Sequence, residues 1–551
     1  MRPQLGQSVV WPAVLMLCAL ATQSFTSTVP VDPNYETDAS GTITVLLLSS
    51  QFYGMDGTIM KALQDQWGAS NNIQITRRIF DPDQNYTDYV NQIMSACSFA
   101  ESSFFDVVYV DVSYIGLLQN CLLNMTAWNS SLGQGHHPVA FGNNVNNNSL
   151  YALPAEMDMG LLYWNEDILY RHSMKGPPID LNDMENMAGY ALKNERALEN
   201  YVLTGLVGQF GISDSAFCNF LEWIWIAGVD TLMDSYGNFS IATSHIAAVV
   251  SQVASWTDSF IIDPTNTDGM DEGAAFDSWI RGNSIFMRNW ASYLLAAADQ
   301  APFQWGAGPM VNSNVSDGGS GTLGGWAVGV YRYSTNPGAA LKFAEFVSSQ
   351  DYQRKLSINL GRHPIPTYPN LYNDSDVCKN YPNNACETFA SINLIRRPSI
   401  ETGVNYTNVS TVISTAVSNI LHGAYVTQTL LDLDAEVLRI LGKPPRNATL
   451  TVDPNTARPG KRVPSDIVVQ TSGLFCVIFV VMTAAGIYKY NANKKAQEIK
   501  KAEEDKFKEL EEDHPDGPEV EQRGPHDHES DFDDGDDYHK YEDVTDKTRL
   551  V

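Results

Sequence analysis

The chain has 551 residues, 44% of them apolar, with 64 acidic against 35 basic side chains and a formal net charge of −29. That length calls for one large or two medium hydrophobic cores, and 11 Trp, 25 Tyr and 22 Phe exclude wholesale disorder. Such acidity argues against nucleic acid as a partner, because phosphate binding needs an excess of Lys and Arg on one face.

The first element, Val9 to Ala21, is an apolar run behind Arg2 that ends in Ala19-Leu20-Ala21. It is too short for about 30 Å of hydrocarbon and reads as a secretory signal peptide, residues 1–21. Ile43 to Leu48 is almost wholly apolar, as a buried parallel strand should be. Asp56 to Trp67 places Ile59, Leu63 and Trp67 on one helical face. A strand at Ile73–Thr76, a helix at Tyr86–Ala96 and a second buried strand at Phe105–Val110 complete a βαβαβ order, which points to a parallel sheet with covering helices. Behind Pro154 a second set follows, with helical stretches around Phe220–Ile226 and His245–Phe260. Trp223 and Trp225, inside the first of these, read as core. Two α/β lobes fit the length.

Residues 444–466 hold Pro444, Pro445, Pro454, Pro459 and Pro464 without apolar periodicity and read as an extended stalk. Ile467 to Tyr488 carries no charge and is long enough to span a membrane as one transmembrane helix. Lys489, Lys494, Lys495, Lys500 and Lys501 behind it favour a cytoplasmic tail, which makes the chain a membrane-embedded type I protein. The tail, residues 489–551, has 21 acidic and 11 basic side chains, and its run Asp531–Asp537 reads as disordered. Tyr541-Glu542-Asp543-Val544 fits the Tyr-x-x-apolar pattern read by cytosolic endocytic adaptors.

Sequons test the topology independently. They occur at Asn85, Asn124, Asn129, Asn147, Asn238, Asn314, Asn373, Asn405, Asn408 and Asn447, all before the span. That distribution supports a glycoprotein made on a eukaryotic secretory route, with an extracellular or luminal ectodomain. Cys378 and Cys386 flank a Pro382-Asn383-Asn384 turn that lets them pair, Cys97 with Cys121 is the second candidate disulfide, and Cys218 is left free; spacing alone does not fix the connectivity. No metal or cofactor is expected. Gly319–Gly324 has dinucleotide-type spacing but precedes a strand instead of opening a helix. Asp81, Asp83 and Asn85 begin like a calcium loop, but Tyr86 stands where Gly is needed and Gln92 where Glu is needed.

Five motifs occur in order: Phe105-Asp106-Val107-Val108-Tyr109-Val110-Asp111; Leu153-Pro154-Ala155-Glu156-Met157-Asp158-Met159-Gly160-Leu161-Leu162-Tyr163-Trp164; Phe220-Leu221-Glu222-Trp223-Ile224-Trp225; Phe286-Met287-Arg288-Asn289-Trp290; and Leu323-Gly324-Gly325-Trp326 ahead of a helix at Asn336–Val347. Arg397-Pro398-Ser399 precedes a long amphipathic helix. With these the stretch from about Thr42 to Leu441 resembles the extracellular solute-binding proteins of the maltose/trehalose type, the ligand-capturing subunits of sugar ABC importers.

The resemblance implies a two-lobed, periplasmic-binding-protein-like (type II) α/β ectodomain over 42–443. Lobe one would be about 42–153 plus 306–358, and lobe two about 154–305 plus 359–443, closing on ligand by hinge motion. A sugar needs carboxylates or amides for its hydroxyls and aromatic rings for its C–H faces. Asp111 stands just past the C-terminal end of a buried strand, where α/β crevices lie, and matches a sugar-contacting Asp of the family. Asp158 matches another, and Glu156 would share its face in an extended stretch. Trp290 falls at the family's stacking position. Trp326 follows Gly324 and Gly325, which would let backbone N–H groups approach a ligand. Arg397 is a candidate donor to a hydroxyl. The function expected is non-enzymatic binding of a small carbohydrate by a surface receptor or uptake component. Two rivals stand beside it: an adhesion or scaffold protein with a non-binding cleft, and a glycoside hydrolase using Asp111, Glu156 and Asp158.

Overall fold

The computed structural model describes residues 39–446 and 450, apart from segments at 49–56, 81–85, 102–103, 129–130, 230, 234–238, 312–318 and 360–363. The signal peptide, nearly all of the stalk, the apolar segment 467–488 and the acidic tail lie outside the described residues. Among the described residues, no helix is long and apolar enough to cross a membrane.

The apolar run at the start becomes β1 (Gly41–Leu48), and β2 (Ile73–Phe80) and β3 (Val107–Asp111) flank it in parallel. Helices α1 (Gly57–Ser70) and α2 (Tyr86–Ser98) make the crossovers. Trp67 stacks on Phe346, with ring centroids 4.7 Å apart. β2 runs past the expected Thr76 because its pairing with β1 continues to Leu48 opposite Phe80, and Arg77, half-way along it, donates to Asp65 (2.8 Å) and Gln64 (2.9 Å) on α1. β3 begins after the expected Phe105. Asp106 uses its carboxylate there, accepting from the Thr44 N–H (2.7 Å) and the Ser334 hydroxyl (2.6 Å).

Two long strands, β4 (Leu153–Asn165) and β8 (Ser320–Val330), lie side by side antiparallel in the middle of a nine-stranded sheet. One end of β8 pairs with β3, Trp326 to Val330 against Asp111 to Val107. The far end of β4 pairs instead with β6 (Ser284–Trp290) and β7 (Trp305–Gly308), while β5 (Thr204–Val207) lies beyond β6 and the short β9 (Asn393–Ile395) joins β8. The order is therefore β2-β1-β3-β8-β4-β6-β5, with β9 and β7 off the path.

Separate cores form on the two stretches. One gathers β1–β3 with α7 (Pro337–Ser348) and α8 (Gln350–Asn359). The other side is built from α3 (Leu181–Ala197), α4 (Asp214–Ile226), α5 (Ser244–Ser255), α6 (Glu272–Ile280), α9 (Tyr406–Leu421) and α10 (Val426–Ile440). Trp223 is buried there and Trp225 packs partly buried against the same core, as expected. α5 stops at Ser255 instead of reaching Phe260: Trp256, Thr257 and Asp258 donate three residues back, in tight turns, and Phe260 itself takes a left-handed φ of 58°.

Both candidate disulfides are formed, Cys97–Cys121 and Cys378–Cys386, and Cys218 is free and buried. Of the sequon residues within the described stretches, Asn147, Asn373 and Asn408 are exposed, while Asn124 and Asn405 are partly buried.

Gly325 sits beside a register shift between Trp326 and Ala327, at φ +103°. A Cβ there would lie 2.4 Å from the Glu156 carbonyl oxygen. Gly325→Ala therefore meets both strain and a backbone clash, and is expected to cost at least about 2 kcal/mol. A urea midpoint unchanged by this substitution would refute that account.

Candidate functional site

The registers of four strands set several of the nominated residues on three successive cross-strand levels, stepping two residues at a time along β4. Asp111 at the end of β3 lies opposite Trp326 on β8, and Trp326 lies opposite Glu156 on β4. Further along, Asp158 faces Gly324, and Gly160 faces Trp290 at the end of β6. This is where β4 and β8 exchange one flanking strand for the other. Glu156 and Asp158 share a face of β4, as the two-residue period requires, and both are partly buried.

Asp158 Oδ1 accepts from the backbone N–H groups of Met159 (2.8 Å) and Ser292 (3.1 Å). Burial nevertheless pushes its carboxyl up to about 6, against these hydrogen bonds and the attraction of Arg288. Burial pushes Glu156 further, to about 8, and the neighbouring Asp158 charge adds to it. Both carboxyls thus hold their proton to higher pH than a solvated acid does, and a carboxyl can donate to a hydroxyl where a carboxylate can only accept from one.

Both groups hold their proton more tightly folded than unfolded, so the unliganded protein loses stability as pH rises. The window runs from 3.8 to about 6 for Asp158 and from 4.5 to about 8 for Glu156. Glu156→Gln is expected to flatten the part of the melting-temperature profile between about pH 5 and pH 8. A variant profile parallel to the wild type would contradict the assignment.

Trp290 is held from several sides. The Arg288 guanidinium lies 4.5 Å from its ring centroid, its Nε1–H donates to Glu272 (3.2 Å), and its carbonyl accepts from the Tyr163 hydroxyl (2.7 Å). Arg288 is itself fixed by Glu222 through two bonds (2.6 and 2.9 Å) and by Gln209 (2.8 Å). Gly160 makes room for this pair, since a Cβ there would lie 2.1 Å from Glu222 Oε1.

Five nominated residues have other work in the fold. The space beside Gly324 is filled by the Trp290 ring and the Asp158 Cβ, and that beside Gly325 by the β4 backbone, so these glycines admit the chain's own atoms. Trp326 is 8% exposed and packs into the β1–β3 core. Arg397 is buried and donates to Asp214, to Asp111 (3.3 Å) and to the Leu323 carbonyl (3.3 Å). Asp111 also accepts from Ser113 through N–H (2.8 Å) and hydroxyl (2.5 Å), capping the turn Val112–Tyr114.

Residues that the sequence reading passed over hold the nominated side chains: Glu272, Ser292, Asp214, and the Glu222–Arg288 pair. Glu222 carried a signal, since a charge amid Phe220-Leu221 and Trp223-Ile224 demands a buried partner. Asp271 ahead of Glu272 carried another; it caps α6 through the Ala274 N–H (2.8 Å). A separate small cavity beside β5, lined by Thr204, Val207, Asp263, Asn266 and Met270 among others, involves none of the nominated residues.

The fold recurs in solved structures. The maltose-bound MalE3 of T. maritima superposes with a TM-score of 0.60 at 22% identity, covering 73% of this chain and 100% of that one. The cyclic α-maltosyl-1,6-maltose binding protein of Arthrobacter globiformis gives 0.59 at 15% identity, over 73% and 98%. In sequence, a probable ABC transporter-binding protein of Deinococcus radiodurans is 28% identical over 351 residues, 62% of this chain and 82% of that protein. The bacterial extracellular solute-binding protein pattern matches residues 63–385, more than half of the chain. With the α/β architecture just described, this places the chain in the bacterial extracellular solute-binding protein family, a family of binding proteins and not of enzymes.

Proposed function

We propose that the chain binds a carbohydrate, of the maltose/trehalose-like oligosaccharide class, in a cleft at the strand crossing. The observation that supports this reading is the staggered set formed by Asp111, Glu156, Asp158 and Trp290 on three neighbouring cross-strand levels of β3, β8, β4 and β6. It combines hydrogen-bonding carboxyls with an aromatic ring, the two things a sugar's hydroxyls and C–H faces require. The sugars named for the two solved structures above, maltose and a cyclic maltosyl-maltose, support the same class. The lobes meeting at these residues would be about 42–153 plus 306–358 and about 154–305 plus 359–443. Of the other nominated residues, Gly324, Gly325 and Trp326 would shape the floor, and Arg397 would hold Asp111 in place.

In this reading the ectodomain is a glycosylated receptor or uptake component. Residues 1–21 are a signal peptide, 444–466 a stalk, 467–488 the span, and 489–551 a cytoplasmic tail that meets an adaptor at Tyr541. Titration of the full chain with maltose, trehalose and longer α-glucans tests the ligand class. Saturable binding that falls at least about tenfold in Asp158→Ala and in Trp290→Ala is expected. Wild-type protein that binds none of them would favour a scaffold. Protease protection of the tail in sealed membranes, with a mass shift on endoglycosidase treatment, tests the topology.

A further inference from the structure

The carboxylate of Glu272 has two side-chain donors on it. One is the indole Nε1–H of Trp290 (3.2 Å) and the other is the hydroxyl of Ser215 on α4. Its backbone is pinned as well, because the Glu272 carbonyl accepts from the side-chain amide of Asn289, the residue next to Trp290 (3.0 Å). As the first residue of α6, behind the Asp271 cap, Glu272 sits where a negative charge is favoured.

An indole has one donor, and its ring torsion is broad and roughly two-fold. The Arg288 guanidinium supports the ring but cannot accept from the N–H, because its nitrogens are donors only, and they point to Glu222 and Gln209. The edge of the ring is therefore set from one place. We propose that Glu272 is a positioning residue, which locks the Trp290 indole in the orientation it holds between Arg288 and Gly324 and ties that ring to α4 through Ser215. The consequence for binding rests on the reading of Trp290 as a sugar platform; the consequence for the ring does not.

The test uses the full chain labelled with 5-fluorotryptophan, the resonance of residue 290 being identified by its loss in Trp290→Phe. Without ligand, Glu272→Ala is expected to shift or broaden that resonance, and Glu272→Gln, which keeps an acceptor oxygen, to leave it near its wild-type position. With maltotriose as probe, Glu272→Ala is expected to bind about fivefold to tenfold more weakly, the size of one ordinary net hydrogen bond, and Glu272→Gln within about twofold. In the Trp290→Phe background, which has no N–H to lose, Glu272→Ala should weaken binding no further. An unmoved residue-290 resonance in Glu272→Ala, or an affinity loss that persists in the Trp290→Phe background, would overturn the assignment. Should maltotriose not bind the wild type, the carbohydrate reading fails, and the ligand-free resonance still decides the role of Glu272.

Discussion

Glu222→Ala is expected to lower the unfolding free energy by about 3–5 kcal/mol. The Glu222 and Arg288 side chains are 0% and 1% exposed. Removing the carboxylate leaves a guanidinium with no route to water and only Gln209 as a side-chain hydrogen-bond partner, and a buried charge that has lost its ion pair is among the costliest single defects. The Thr322 N–H, which also donates to Glu222 (3.0 Å), is orphaned with it. The loss is large beside a total stability of about 5–15 kcal/mol for a typical domain. Replacing both partners by apolar residues of similar volume, Glu222→Leu with Arg288→Met, should recover much of it, because the cost lies in stranding a charge and not in lacking a pair. The double variant should still bind sugar poorly, since Arg288 braces Trp290. Urea unfolding of the three proteins measures the first effect and titration the second. A single-variant loss below about 1 kcal/mol would mean that water reaches the pair.

Much of this was legible locally. The apolar run Ile43–Leu48 gave a strand because burial on both faces leaves no polar alternation. The two-residue period put Glu156 and Asp158 on one face once the stretch was read as extended, and the turn between Cys378 and Cys386 made their pairing feasible. What stayed illegible depends on register between distant segments. That Asp158 faces Gly324 and Asp111 faces Trp326 follows from how β8 aligns with β4 and β3, and no local pattern encodes that alignment. For the same reason glycines read as room for a ligand turned out to be room for Trp290 and for the β4 backbone. Arg397 is the sharpest case. As an isolated Arg-Pro-Ser motif it suggests a donor for a ligand, but two acids at positions 111 and 214, far away in sequence, take up its donors.

Arg397→Ala is therefore expected to act on binding through Asp111. Asp214 accepts from Arg397 and also from the Tyr406 (2.6 Å) and Ser410 (2.5 Å) hydroxyls, so Arg397 joins the start of α4 and α9 to the end of β3. Without it, two carboxylates and the Leu323 carbonyl lose a buried cation. Both acids keep about a quarter of their side-chain surface in water, at 25% and 28%, so solvent relieves part of the cost. We expect a loss of about 2–3 kcal/mol, below that of a sealed pair. Arg397→Lys should not rescue it, because a single ammonium cannot reproduce the fork that reaches both acids. Asp214→Asn separates positioning from contact, since Asp214 is not one of the proposed ligand contacts Asp111, Glu156, Asp158 and Trp290. If Arg397 serves only to hold Asp111, Asp214→Asn should loosen Arg397 and weaken sugar binding in the same direction as Arg397→Ala. If Arg397 instead touches the ligand, Asp214→Asn should free it and leave affinity equal to or tighter than wild type. Titration of the two variants with the same sugar decides between these roles.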